Sequence, residues 1–282
     1  MEKVKRIINA ITPPILINLF RFIRSEQKKP DIKPSSGWVG NYSTWQDAKA
    51  ICTGYENDAI LEKCKNSLLK VKNGEAAYER DSFVFDKIQY SWGLLAGLQK
   101  ASIENKGILN VLDFGGSLGS TYFQNKAFLK GLDFLTWNIV EQEHFINCGK
   151  EFFQNEELRF YQSIESCFQE NEINVILLSS VLQYLENPKE LIDKIIRLKV
   201  DYIIVDRTAF IDGPDQIAVQ NVPEYIYKAS YPCWFFNEKL FLDQFTTNYN
   251  VLTDFDNGFT APQCIGNGKK AYWKGMIFNC KK

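Results

Sequence analysis

A chain of 282 residues is long enough to bury the core of one large α/β domain with an appendage, or of two small domains. Its 33 Lys and Arg against 34 Asp and Glu leave a formal charge of −1, so no global field draws it onto nucleic acid or an anionic membrane. Seven cysteines form no CxxC pair, and the single His144 cannot complete a tetrahedral Cys/His set with sequence neighbours, so no metal site is expected and reduced thiols in a cytoplasmic protein are the simplest account.

The charge is unevenly spread, with seven basic residues against Glu2 and Glu26 in residues 1–30, net +5, which leaves −6 for the remainder. Ile7 to Ile23 is apolar in patches, but Pro13, Pro14, Asn18 and Arg21 interrupt it before the ~20 residues a membrane span needs, and no small-residue cleavage site follows. Within it, "PPILINLFRFIR" places Ile15, Leu16, Leu19, Phe22 and Ile23 at helical spacing with Arg21 and Arg24 opposite. An amphipathic helix of this kind docks on its own domain or on a second copy in a homo-oligomer; peripheral contact with the inner membrane is the alternative. Pro30 and Pro34 mark a linker, so residues 1–36 form one division.

Residues 37–105 are expected to be a mainly helical region capping a substrate site. Ser43 or Thr44 can cap a helix starting near Trp45, and helical periodicity runs through 56–72 and 79–101. Tyr78, Glu79, Arg80 and Asp81 stand in a row before the second of these. Asp81 or Ser82 is expected to cap it, while Arg80 is a candidate partner for a substrate phosphate.

From residue 106 to 282 the pattern changes. Seven short apolar runs ("ILNVLDFGG", "FLTWNIVEQ", "LRFYQS", "NVILLSSVLQY", "VDYIIVDRT", "NYNVLTDFD", "YWKGMIFNC") are separated mostly by helical stretches, which predicts an α/β fold with a mainly parallel sheet covered on both faces. The last two runs lack a helix between them and suit a closing hairpin with an antiparallel edge.

The first run ends in Asp113 and passes into Gly115, Gly116 and Gly119. A turn without Cβ atoms lets a ligand approach the backbone, and the free N–H groups of a following helix favour an anionic or polar group. A glycine turn also serves tight strand-to-helix packing, but the second run ends in Glu141, 22 residues past Gly119, where the next parallel strand delivers an acid to a ribose diol. Capping of the following helix is the other use of Glu141.

Asp113-Phe114-Gly115-Gly116-Ser117-Leu118-Gly119 resembles the first motif of class I S-adenosyl-L-methionine (SAM)-dependent methyltransferases, with Ser117 where the middle glycine is usual and the loop path adjusted accordingly. "NVILLSSVLQYLENPKELI" resembles their fourth strand and the loop after it. More narrowly, "GWVGNYSTWQDA", "NGEAAYERDSFVFD", "SSVLQYLENP", "DRTAFIDG" and "YKASYPCWFF" resemble a family of methyltransferases encoded among bacterial surface-polysaccharide (O-antigen and capsule) biosynthesis genes. The resemblance implies a Rossmann-like, mostly parallel seven-stranded sheet with helices on both faces, an antiparallel closing strand and a helical N-terminal extension. It further implies that Gly115, Gly116 and Gly119 pass under the methionine moiety of SAM, that Asp113 orients it, and that Glu141 holds the ribose. Gln142, Ser163 and Ile164 would flank the adenine, with Ser179, Ser180 and Val181 on the methionine side.

The activity so implied is transfer of a methyl group to a sugar or glycan, free or linked to a nucleotide or lipid. A hydroxyl acceptor requires a base. His144, Asp206 and Arg207 are the candidate catalytic residues: His144 follows Glu141 by three positions, and Asp206 and Arg207 emerge at the carboxyl end of a strand, where open α/β sheets bind ligands. A helix-start histidine and a surface Asp–Arg ion pair are the structural alternatives. The aromatic stretches "GWVGNYSTW" and "YKASYPCWFF" serve either packing against the sheet or stacking on a sugar. Two other functions remain open. An NAD(P)-dependent oxidoreductase shares the turn-plus-acid pattern, although G-x-G-x-x-G and a Tyr-x-x-x-Lys pair are missing; a non-catalytic scaffold would keep the fold without turnover.

Overall fold

The first strand, β1 (Gly37–Tyr42), leads into a short helix, α1 (Trp45–Lys49), whose N-cap Thr44 accepts a hydrogen bond from the Asp47 amide, as the Ser43/Thr44 signal predicts. The computed structural model describes residues 37–53, 58–223, 229–256, 262–265 and 268–281, all within the unit Ser36–Lys282. The amphipathic helix and linker expected over 1–36, and any membrane contact through them, lie outside the described residues. Helix α2 (Asp58–Lys72) follows.

The stretch read as one helix over 79–101 divides in two. Strands β2 (Tyr78–Arg80) and β3 (Phe83–Phe85) form a hairpin, and α3 (Trp92–Glu104) begins only after it. Asp81 and Ser82 adopt φ of 51° and 67°, the two left-handed positions of a two-residue hairpin turn, with Arg80 registered opposite Phe83. They make the turn and cap no helix.

Strands and helices then alternate: β4 (Ile108–Phe114), α4 (Ser120–Leu129), β5 (Phe134–Val140), α5 (Glu143–Phe152), β6 (Leu158–Tyr161), α6 (Ile164–Glu170), β7 (Val175–Ser179), a 3-10 turn (Leu182–Tyr184), α7 (Pro188–Leu198) and β8 (Tyr202–Ile211). The remainder comprises β9 (Gln216–Asn221), β10 (Ser230–Asn237), α8 (Glu238–Phe245), β11 (Tyr249–Asp256), β12 (Gln263–Cys264) and β13 (Lys270–Cys280). Among the described residues no helix is long and apolar enough to cross a membrane.

In space β6, β5, β4, β7 and β8 lie side by side and parallel. β13 runs antiparallel along β8, and β11 pairs antiparallel with β13. The expected closing hairpin is therefore present, but the antiparallel strand is internal and β11 forms the edge. Burial explains the placement: β13 is apolar and largely buried, whereas β11 exposes most of its side chains. The seven runs read from the sequence form this continuous series. The sheet reaches eleven strands among the described residues because β12 pairs with β13 and an antiparallel group, β1-β9-β10, joins the carboxyl end of β8 through Phe210 and Ile211.

Both faces of the parallel strands are covered, as their near-continuous apolar character demands. Val111, Ile139, Leu177 and Ile204 share a cluster with Leu94 and Leu98 of α3 and Phe145 of α5. Leu112, Ile176, Leu178 and Ile203 pack with Ile192 and Ile195 of α7 and Phe241 and Phe245 of α8. A buried polar set ties three strand starts together: Thr136 donates to Asn110 Oδ1 at 2.9 Å, and the Asn110 amide donates to Asn174 Oδ1 at 2.9 Å.

Phe255 of β11 presses its ring against the bare backbones of Gly93 in α3 and Gly275 in β13, where any Cβ would fall inside it. A Gly275→Ala substitution should therefore cost about 1–3 kcal/mol by overpacking. Urea denaturation measures it; a midpoint equal to that of the parent would mean that the ring moves aside.

Candidate functional site

Strand order reverses about β4, with β5 and β6 to one side and β7 and β8 to the other, so the connections leaving neighbouring carboxyl ends diverge and open a crevice. A cleft of about 570 Å³ occupies this position, a volume suited to a small-molecule ligand. Its walls are the turn after β4, the ends of β5, β7 and β8, the β2–β3 hairpin, and the β9–β10 addition.

The turn is held from within. Gly115, at φ +72°, donates its amide to the Val140 carbonyl at 2.9 Å, and a Cβ there would lie 2.5 Å from Val181 Cγ2. A Cβ on Gly116 would lie 2.6 Å from Asp113 Cγ. Glycine at these two positions thus makes room for Val181 and Asp113 as well as leaving backbone on the cleft wall. Ser117 takes the left-handed conformation that a glycine would adopt freely, at φ 54°. Gly119, at φ +106°, opens α4.

Asp113, Gly115, Gly116 and Ser117 line the cleft together with Glu141 and Gln142. The Asp113 carboxylate is 1% exposed and accepts a 2.9 Å hydrogen bond from Trp137 Nε1. Burial pushes its pKa up to about 7, against the opposing pull of the Trp137 hydrogen bond and of Arg207. Glu141, at the end of β5, accepts from the Gln142 amide at 2.7 Å, and the Ser117 amide lies on the same side of its carboxylate. Burial raises its pKa, and the two amides and His144 lower it. The residue capping α5 is Gln142, so Glu141 faces the turn in place of serving as the helix cap.

Ser163 and Ile164 stand elsewhere. Ser163 is the N-cap of α6, its Oγ accepting the Ser166 amide at 3.1 Å in a capping box, and Ile164 is buried in the core. Gln162, one residue earlier, is the cleft residue of this segment. His144 is also off the cleft, in the first turn of α5 with its ring 4.9 Å from that of Phe145.

Ser179, Ser180 and Arg207 line the opposite wall, and Asp206 lies beneath it. Asp206 is buried, accepting from Ser179 Oγ at 3.1 Å and Ser91 Oγ at 3.2 Å, with Arg207 Nε 3.6 Å away. The pair is therefore interior, and its carboxylate faces a small polar void instead of the main cleft. Burial raises the Asp206 pKa, and Arg207 chiefly opposes this. Arg207 reaches the cleft because β8 bulges: its register against β13 slips between Val205 and Thr208, and Arg207 takes φ 50°. Its Nη2 donates to Ser179 Oγ at 3.2 Å.

Several cleft residues carry no motif. Glu79 on the hairpin is 3% exposed, accepting from the Ser82 amide at 2.8 Å and from Ser120 Oγ at the start of α4. Burial pushes its pKa up to about 7. Tyr184 donates to Gln220 Oε1 at 2.9 Å and meets Tyr231 edge-on at 5.2 Å, forming an aromatic rim with Tyr78. The row of residues 78–81 was the one available signal for Glu79; helical periodicity pointed it elsewhere.

No family model matches the sequence, and no curated relative does. Among solved structures, the chain is similar to the N-terminal domain of EvdMO1 with SAH bound, at 12% identity over 76% of this chain and 95% of that one, with a TM-score of 0.44. An S-adenosylmethionine-dependent methyltransferase from Clostridium acetobutylicum (11% identity, 68% and 93% covered, TM-score 0.44) is another. A third is CalS10, an amino pentose methyltransferase from Micromonospora echinaspora (8% identity, 68% and 92% covered, TM-score 0.41). Identities and TM-scores this low assign neither ligand nor reaction to this chain.

Glu79 and Asp113 keep, in the folded protein, protons that the unfolded chain releases near pH 4, so stability should fall as pH rises from about 4 to 7. Each carboxylate contributes at most about 1.4 kcal/mol per pH unit. Urea titrations at pH 5, 6 and 7 should show a shallower decline in Glu79→Gln than in the parent; parallel slopes would refute the assignment.

Proposed function

We propose that this chain is a SAM-dependent methyltransferase acting in the cytoplasm on a hydroxyl of a sugar or glycan intermediate in surface-polysaccharide synthesis. The observation that carries the proposal is the junction of the glycine turn and Glu141: two neighbouring strand ends present a backbone cradle and a carboxylate to one cleft at the point where strand order reverses.

The residues present fit the cofactor. Glu141 suits a ribose diol, because one carboxylate can accept from two hydroxyls. Gln142 and Gln162 offer amides on the adenine side, and Asp113, Ser179 and Ser180 border the methionine side. When bound, SAM supplies a methyl group already activated by its sulfonium. The chain's own contribution is to align the acceptor oxygen and to exclude water. Arg207, anchored by Asp206 and Ser179, fixes the charge of the wall beside β7.

The acceptor class is supported by the sequence resemblance and by the far wall. Tyr78, Tyr184 and Tyr231 offer aromatic faces to sugar C–H groups, and Gln220, Arg80 and Asp81 offer polar partners for hydroxyls or a linked phosphate. His144 and Asp206 do not reach this space, so neither is retained as the base; Asp81, a carboxylate of the cleft on the acceptor side, would take the hydroxyl proton as the methyl group is transferred.

Isothermal titration should detect binding of S-adenosylhomocysteine (SAH), weakened about 10- to 100-fold in Glu141→Ala through loss of charged hydrogen bonds, with NADH giving no heat. Full affinity in the variant would remove Glu141 from the ribose site. Tight NADH binding would transfer the cleft to an oxidoreductase. Labelled SAM incubated with nucleotide sugars and lipid-linked glycans then tests the acceptor.

A further inference from the structure

Two carboxylates border the glycine turn without a cation paired to either. Glu79 and Asp113 are 3% and 1% exposed, both line the cleft, and among the described residues neither forms an ion pair. Their hydrogen bonds come from neutral donors: the Ser82 amide and Ser120 hydroxyl for Glu79, the Trp137 indole for Asp113. The cleft's arginine nearest in charge, Arg207, is committed to Asp206 and Ser179. A desolvated carboxylate in such a position is costly unless a cation arrives with the ligand.

Asp113 is closed off on one side, its carboxyl lying over Gly116. Glu79 differs because of what it touches. Ser120 is the first residue of α4, ten residues long, whose leading N–H groups give that end of the helix a partial positive charge. The Glu79 carboxylate and the positive end of α4 thus stand within one hydrogen bond of each other, beside Ser120 and Thr121 of the cleft wall. The chemical group that presents an ammonium and a carboxylate on one carbon is an α-amino acid. Building on the proposed methyltransferase function, we infer that Glu79 receives the α-ammonium of the cofactor's amino-acid end, with the carboxylate directed to the start of α4. Glu79 is therefore a specificity residue that separates the complete cofactor from a bare nucleoside thioether.

The groups facing Glu79 are Tyr78, Asp81 and Ser82 of the hairpin, Ser120 of α4, Arg207 of β8 and Cys64 of α2. Arg207 is already paired, so an arriving ammonium is the cation that favours the ionised carboxylate. Affinity for an amino-acid-bearing ligand should then increase with pH as Glu79, poised at about 7 in the free protein, ionises.

The test titrates the full chain with SAH and with 5′-methylthioadenosine, which shares the nucleoside and lacks the amino-acid end. Glu79→Gln should weaken SAH about tenfold or more and leave methylthioadenosine within about twofold. Equal losses for both ligands would make Glu79 structural, and no loss for SAH would remove it from the site; either result overturns the inference. Should the variant fold poorly, the parent protein alone decides. The ratio of SAH to methylthioadenosine affinity should rise several-fold from pH 5.5 to 8, and a flat ratio overturns the inference. If the parent binds neither ligand, the proposed function falls and the Glu79 assignment with it, whereas binding of both with no dependence on Glu79 rejects the assignment alone.

Discussion

The amide of Gly115 donating to the carbonyl of Val140 is the constraint on which the site depends. It carries the parallel ladder of β4 and β5 one residue beyond the registered pair Phe114 and Val140, so both chains leave the sheet at the same level. Glu141 is then placed beside the turn with no freedom to slide, close enough to the Ser117 amide for that dipole to favour its ionised form. Positive φ at Gly115, Ser117 and Gly119 bends the backbone away from the sheet and into α4. A change in register here would separate the cradle from the acid, because a one-residue slip in a strand reverses every side chain.

Charge burial sets the character of the cleft. Water would normally solvate Asp113, Asp206, Glu79 and Arg207, yet all four sit largely inside the protein. Asp206 and Arg207 compensate each other, with Ser179 and Ser91 satisfying the remaining lone pairs, and so form a rigid polar floor. The bulge in β8 that lifts Arg207 to the surface of this floor leaves Asp206 below it. Glu79 and Asp113 have neutral donors only. An enclosed, partly uncompensated site of this kind favours ligands that bring positive charge, and it does so at some expense of stability in the empty protein.

The three strands β1, β9 and β10 add a second wall that the parallel sheet could not supply. β10 begins its contact with β8 only at Phe210 and Ile211, beyond the end of β7, so the addition rises from the carboxyl edge directly over the crevice. Tyr184 links it to the loop after β7 through Gln220. Two aromatic residues of β10 face different ways: Trp234 stacks on Trp45 and Phe236, while Tyr231 lines the cleft.

How much was legible in the sequence follows from the range of each interaction. The parallel strands, the turn at 115–119 and Glu141 could be read because each rests on local chemistry: apolar runs need two covered faces, tight turns need glycine, and the spacing of one strand-helix-strand unit delivers the next strand end. Thr44 as a cap was equally local. The misplacements involve residues with two locally acceptable uses. Asp81 and Ser82 suit a helix cap or a hairpin turn, and pairing of β2 with β3 chose the turn. Ser163 and His144 had polar side chains in suggestive positions, but capping took the first and α5 carried the second away from the cleft. Sequence alone determined the α/β order and the turn facing an acid. Tertiary structure decided the bulge that separates Arg207 from Asp206, the strand added at β8, and the burial of Glu79 against Ser120. Those depend on contacts between segments distant in the chain, whose desolvation and pairing no local pattern encodes.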